Sequence, residues 1–217
     1  MASIAVVGGT GHLGKGIARR LAKAGHAVSI GSRAAEKAEA IVKEMGLELG
    51  FGANPDVVRG KDVVIVTVPY ENQASTLRQI APLVGAAVVV DTTVPLMPPK
   101  VMRVQLPAAG CAAAEAKGYL GDGVRIVTAF HNVAAHILDS EEKVDCDVLV
   151  FSDDVEARNL VVGLVNDMDL RGLSGGALAN SAAAEALTSI LIYMNKTYRA
   201  DGAGIRFTNL TAAPPIP

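Results

Sequence analysis

Apolar and polar positions fall into short blocks along the first two thirds of the chain, and the period changes from block to block. Ile4 to Val7 is a β-branched run that stops at Gly8-Gly9-Thr10-Gly11. Ile17, Leu21 and Ala24 then recur at helical spacing among Lys15, Arg19, Arg20 and Lys23; Gly25 closes that helix, and a strand follows over Ala27 to Ile30. Ala34 to Met45 has helix-forming composition, with Lys and Glu three or four residues apart. Val63 to Val68 and Ala87 to Val90 are unbroken apolar runs, the pattern of parallel strands covered on both faces. Between them Asn72 to Leu83 predicts a helix. Ala109 to Leu120 predicts an alanine-rich helix, Arg125 to Thr128 and Val148 to Phe151 two more strands, and Val155 to Met168 an amphipathic helix. This alternation specifies an α/β fold with a doubly wound, mainly parallel sheet over residues 1–150. Residues 151–210 predict a small C-terminal α/β extension dominated by a long helix from Ala177 to Tyr198, roughly 33 Å if unbroken at 1.5 Å per residue. The Pro-rich tail, 211–217, is expected to be loosely held.

Composition narrows the class. Half of the 217 residues are hydrophobic and 19% are charged, which suits a packed domain and not a disordered chain. Aromatics make up 4%, with no Trp, so Ala, Val, Ile and Leu must build the core. A net charge of -2 gives no overall field for nucleic acid or an anionic membrane, and no apolar run reaches the ~18 residues of a membrane span. The start, Met1-Ala2-Ser3-Ile4, lacks the basic segment of a secretory leader. Cys111 and Cys146, the only cysteines, read as free thiols of a cytoplasmic protein. No metal site is expected. Asp145-Cys146-Asp147 puts two carboxylates on one strand face without a further ligand, and reads as a solvated edge.

The glycine turn carries the first chemistry. Gly9-Thr10-Gly11-His12-Leu13-Gly14 matches G-x-G-x-x-G, follows a predicted strand and opens a predicted helix. In that context Gly9 permits the tight turn, Gly11 lets backbone approach a pyrophosphate, and Gly14 lets helix and strand pack closely. The helix N-terminus supplies free N–H groups to the phosphates. These features place a Rossmann-type dinucleotide site here. The second strand ends in Ile30-Gly31-Ser32-Arg33, without the acid that usually accepts from the ribose hydroxyls of NAD. Ser32 and Arg33 can instead donate to a 2′-phosphate, and Lys37 lies one helical turn beyond Arg33, so the expected cofactor is NADP(H). Residues 1–45 hold seven Lys/Arg against three Glu, a local charge of +4. Arg19, Arg20, Lys23 and Lys43 among them read as solvated helix faces. His26 reads as surface, the backbone of His12 matters more than its ring, and His136 has no evident partner.

Only about 65 residues follow position 150, too few for a separate helical substrate domain. The substrate is therefore expected at the carboxyl ends of the strands, against three loops: Val68-Pro69-Tyr70, Asp91 to Pro98, and Ala129 to Ala134. The middle loop is apolar and Pro-rich, a wall suited to a planar ring.

Several segments in matching order resemble the coenzyme F420-dependent NADP oxidoreductases. They are Gly8-Gly9-Thr10-Gly11-x-Leu13-Gly14-Lys15-Gly16, Gly31-Ser32-Arg33, Val68-Pro69, Phe130-His131-Asn132-Val133 and Val144 to Val150. Asp153-Asp154, Glu185-Ala186-Leu187-Thr188 and Ala203-Gly204-Ile205-Arg206 extend the resemblance over about residues 3 to 210. It implies hydride transfer between NADPH and the deazaflavin coenzyme F420 by a dimer of Rossmann subunits. By position it implies that Thr10, Ser32, Arg33 and Lys37 hold the 2′-phosphate. Thr93, Val94, Pro95 and Leu96 would floor the deazaflavin, with His131 and nearby backbone, including Asn132, at its polar edge. The chain departs from the family pattern in having Tyr70 after Val68-Pro69, Val94 before Pro95-Leu96, and Ser174-Gly175-Gly176-Ala177-Leu178 before the last helix. Two other readings stay open: an NADP-dependent reductase of another flat or small substrate (a pterin, a quinone-like ring, an imine), and a non-catalytic NADP-binding redox sensor. Leu187, Ile190, Leu191 and Met194 give the last helix apolar residues on most faces. That predicts packing across a homodimer axis, with burial against its own sheet as the alternative.

Overall fold

A computed structural model describes residues 1–211; the rest of the tail expected to be loosely held lies outside the described residues. The chain runs β1 (Ser3–Val7), α1 (His12–Lys23), β2 (Ala27–Ser32), α2 (Ala35–Met45), β3 (Gly50–Ala53), α3 (Asn54–Val57), β4 (Val63–Val66) and α4 (Tyr70–Ile80). It continues with β5 (Val88–Asp91), α5 (Ala112–Leu120), β6 (Arg125–Thr128), α6 (Ala135–Leu138), β7 (Asp147–Phe151), α7 (Val155–Asp167), β8 (Arg171–Gly176) and α8 (Ser181–Tyr198). All eight strands join one sheet in the order β3-β2-β1-β4-β5-β6-β7-β8, parallel except where β7 runs antiparallel to β6. This is the doubly wound, mainly parallel sheet expected. The boundary near residue 150 falls inside β7, and β7 and β8 extend the same sheet.

The unbroken apolar strands feed two cores, because successive side chains point to opposite faces. Ile4 and Val6 of β1, with Val63 and Ile65 of β4, pack under Ile17, Leu21, Val42 and Val161. Ala5 and Val7, with Val64 and Val66, pack under Leu77, Ile80, Ala116 and Leu120. Covering both faces leaves the strand ends as the place where ligands reach backbone. At Gly16 an added Cβ would lie 2.7 Å from the Leu138 carbonyl carbon, so this glycine sets how closely α1 packs on α6.

Several local expectations need correction. The last helix begins at Ser181, after a separate 3-10 turn over Leu178–Asn180, because Gly176 (φ +86°) turns the chain and Asn180 Nδ2 bonds the Gly175 carbonyl at 2.9 Å. Its α-helical part spans about 27 Å. α4 starts directly after Pro69, and α5 starts only at Ala112, after Gly110 (φ +91°). Arg20 is no solvated charge: its guanidinium donates to the carbonyls of Leu138, Ser140 and Glu142. Arg19 lies 3.7 Å from Asp139. His26 is half-buried between the Ala2 amide and Asp167, and His136 pairs with Asp201 at 2.7 Å. Asp147 is no solvated edge either. It accepts from the Phe207 amide at 2.6 Å and faces Arg171 at 3.4 Å, tying the C-terminal segment to β7.

Burial against its own sheet does not account for α8. Only Ser181, Ala184, Glu185 and Ser189 of the helix are buried, whereas Ile190, Tyr193, Met194 and Tyr198 stand exposed. Val104 and Leu106 are exposed beside it. Among the described residues no helix is long and apolar enough to cross a membrane.

Candidate active site

The cleft is built where β1 and β4 end. Gly9 N–H donates to the Gly31 carbonyl at 3.0 Å, and Gly8 N–H donates to Asn54 Oδ1 at 3.2 Å, so β2 and α3 fix the glycine turn from both sides. An added Cβ at Gly14 would sit 2.5 Å from the Gly9 Cα, which makes glycine obligatory for the helix to leave the turn. At Gly11 an added Cβ would meet nothing within 4 Å; its backbone faces open cleft. Gly11 caps α1 in extended conformation without a side-chain hydrogen bond, and the first turn of α1 contains no acid. The amides there are free for an anion, and the helix dipole favours one.

One cleft of about 1380 Å³ joins this turn to the strand-end loops. Thr10, Gly11, His12, Leu13 and Gly14 line it, with Ser32, Arg33 and Lys37 at the β2 end. Arg33 and Lys37 are exposed and take no ion pair among the described residues. The His12 ring, whose backbone is expected to matter more, meets Asp139 at 2.9 Å while lining the cleft. On the far side lie Val68, Pro69 and Tyr70, then Thr93, Val94 and Leu96. The Tyr70 hydroxyl donates to Glu115 at 2.8 Å; burial and that carboxylate push its pKa up to about 12, so it stays a neutral phenol. Gly9 and Pro95 are buried behind the lining.

His131 and Asn132 are not brought to the cleft. Phe130 adopts a left-handed backbone (φ +66°), turning the following residues inward. Asn132 Nδ2 donates to the Ala184 carbonyl at 2.8 Å, and the Thr188 hydroxyl donates to the His131 carbonyl at 2.8 Å, which pins the loop to α8. His131 is 5% exposed, its nearest aromatic partner is Phe151 with centroids 6.0 Å apart, and neither ring nitrogen has a hydrogen-bond partner. Burial lowers its pKa to about 4, so the ring is neutral. The polar edge expected of this residue is therefore absent from the cleft wall.

Sequence reasoning missed Asn54, 3% exposed, whose side chain holds Gly8; it follows a glycine-rich strand with no apolar signal. It also missed the face of α4 that lines the cleft through Asn72, Ser75, Thr76 and Gln79. Their spacing of three and four residues was visible, but a polar helix face ordinarily reads as solvated.

Residues 3–95 match the family model described as NADP oxidoreductase, coenzyme F420-dependent. An F420-dependent NADP reductase of Methanocaldococcus jannaschii is 39% identical over 95% of this chain and 98% of its own. The chain belongs to the F420-dependent NADP reductase family. A second member, from Methanothermobacter thermautotrophicus, is 38% identical over 95% of each chain. In fold, this family member superposes on the crystal structure of an Arthrobacter protein assigned as an F420-dependent NADP reductase. The TM-score is 0.83 at 19% identity, covering 96% of this chain and 100% of that one.

Proposed function

We propose that this protein transfers a hydride between NADP(H) and the deazaflavin coenzyme F420, as a cytoplasmic homodimer. The observation that carries the reading is a single cleft of about 1380 Å³ running from the basic end of β2 to the apolar strand-end loops. That exceeds the ~300 to 1000 Å³ typical of a site for one small ligand and suits two extended cofactors. The family relatives, by name, couple these same two.

The residues fit NADP(H): free amides at the start of α1, an open approach at Gly11, and no acid where β2 ends. Gly9 to Gly14 cradle the pyrophosphate, Thr10, Ser32, Arg33 and Lys37 take the 2′-phosphate, and Val68 and Pro69 flank the nicotinamide half. Tyr70, Thr93, Val94 and Leu96, backed by Pro95, form the wall for the second ring. When bound, the two rings would supply the hydride chemistry, one as donor and the other as acceptor. The chain's own contribution is to bind both rings face to face, orient the reacting carbons and exclude water. No covalent nucleophile is required. Division into a cofactor-binding unit, 1–150, and an extension, 151–210, gives the extension the task of covering the site and pairing the subunits. The uncovered apolar face of α8 supports a second copy as its cover, and two buried free cysteines suit a reducing compartment.

Mixing the protein with NADPH and oxidised F420 tests the reading. The absorbance bands of both should fall at matched rates. NADPH binding without any loss of the deazaflavin band would return the protein to another substrate or to a sensing role.

A further inference from the structure

Beneath the cleft wall, four elements meet in a buried polar chain that the hydride-transfer reading leaves unused. Asp91, the last residue of β5, and Gln73 of α4 are each 1% exposed. Asp91 Oδ1 accepts from the Thr93 hydroxyl at 2.6 Å and from the Thr93 amide at 3.3 Å; Oδ2 accepts from Gln73 Nε2 at 2.6 Å. Gln73 Nε2 also donates to the Ala112 carbonyl at 3.2 Å, where α5 begins. The amides of Ala112 and Ala113 in turn donate to the buried Glu185 carboxylate of α8, at 2.7 and 3.0 Å.

Thr93 is the first residue of the apolar wall and has left the ladder of the sheet. The Thr92 amide still bonds the Val66 carbonyl at 3.2 Å, and the next backbone bond in the loop is Leu96 to Val94. The direction in which the chain sets off from the sheet therefore rests on the carboxylate of Asp91, and Asp91 is aimed by Gln73. A buried carboxylate is costly, and a packed apolar pair would hold two helices to a strand at least as well. What the polar pair adds is directionality at the one loop that must present a flat surface within tenths of an ångström.

We propose that Gln73 and Asp91 are positioning residues, which hold the Thr93–Leu96 wall in register with the nicotinamide end of the cleft without touching either ring. This rests on the reading of that wall as the seat of the second ring. Glu185 anchors the far end of the chain, so the packing of α8 is transmitted to the wall through the start of α5.

The test compares Gln73→Met, Asp91→Ala and Asp91→Asn in the full-length protein. Two readouts are taken: amide hydrogen exchange over residues 92–97 with NADPH bound, and the KM for oxidised F420 beside the Kd for NADPH. Gln73→Met and Asp91→Ala should each speed exchange over 92–97 by about tenfold or more, leaving α1 unchanged. They should raise the F420 KM about tenfold, the effect of one lost buried hydrogen bond, with the NADPH Kd within about twofold. Asp91→Asn keeps an acceptor for Thr93 but sets an amide donor against Gln73 Nε2, so it should recover part of both protection and KM, falling between wild type and Asp91→Ala. Unchanged exchange over 92–97 in Gln73→Met overturns the proposal, and so does an equal loss of NADPH and F420 affinity that Asp91→Asn fails to rescue. If the wild type does not oxidise NADPH with F420, the functional reading falls, while hydrogen exchange still decides the roles of Gln73 and Asp91. Gln73→Met keeps the side-chain length and carries the test alone should Asp91→Ala fail to fold.

Discussion

Two buried ionisable side chains, His131 and Glu185, give this protein opposing pH dependences. His131 is held neutral, its pKa depressed from 6.5 to about 4 by burial. Its stabilising contribution is complete above pH 6.5 and is lost as pH falls toward 4, about 3 kcal/mol in all at ~1.4 kcal/mol per pH unit. His131→Leu should therefore be more stable relative to wild type at pH 5 than at pH 7.5, measured by urea unfolding at both; an equal difference at the two pH values contradicts this. Arg33 makes a different prediction. Exposed at the end of β2, it can contact only a ligand that carries charge there, so Arg33→Ala should raise the NADPH Kd about tenfold or more and leave NADH within about twofold. Titration with both nucleotides decides it, and an equal effect on the two removes the 2′-phosphate assignment. Arg33 and the glycine turn were legible because their chemistry depends on local sequence: a strand end, a turn, a helix start. The placement of His131 was not, because it depends on the left-handed backbone of Phe130 and on contacts to α8 more than fifty residues away.

Among the elements, those with apolar periodicity were legible and those built of glycine were not. β1, β4, β5 and β6 lie within a residue or two of their predicted spans. β3 (Gly50–Ala53) and β8 (Arg171–Gly176) escaped notice, since glycines neither pack nor favour a strand and are recruited by pairing to β2 and β7. The start of α5 escaped for a related reason. Its cap is Glu185, from a helix far along the chain, and not a neighbouring Ser, Thr, Asp or Asn. Burial first, against the two α5 amides that favour the charge, raises the Glu185 pKa from 4.5 to about 7. The sign is opposite to that of His131. The contribution is complete below pH 4.5 and is lost as pH rises through 7, about 3 kcal/mol in all. Between pH 4.5 and 7 this loss opposes the gain from His131, so it is read in a His131→Leu background, where stability should fall between pH 5 and 7.5. Glu185→Gln should flatten that fall, and an unchanged slope in the variant would remove Glu185 as its source.

For the whole molecule, the alternation of apolar strands and helices already implied a doubly wound, mainly parallel sheet, and all eight strands of the described residues join one. What composition could not convey is that α8 leaves Ile190, Tyr193 and Met194 uncovered. Light scattering at micromolar concentration should give a dimer, and Ile190→Glu with Met194→Lys should give a folded monomer; a wild-type monomer contradicts the assembly. The central claim is a direct hydride transfer between two ring cofactors in one cleft. Its most direct test is isotopic: NADPH deuterated at the transferable C4 position, reacted with oxidised F420 in ordinary water. The account predicts deuterium at C5 of the reduced deazaflavin, nearly complete and on a single face. Deuterium lost to water, or NADPH bound with no label reaching the deazaflavin, would contradict it.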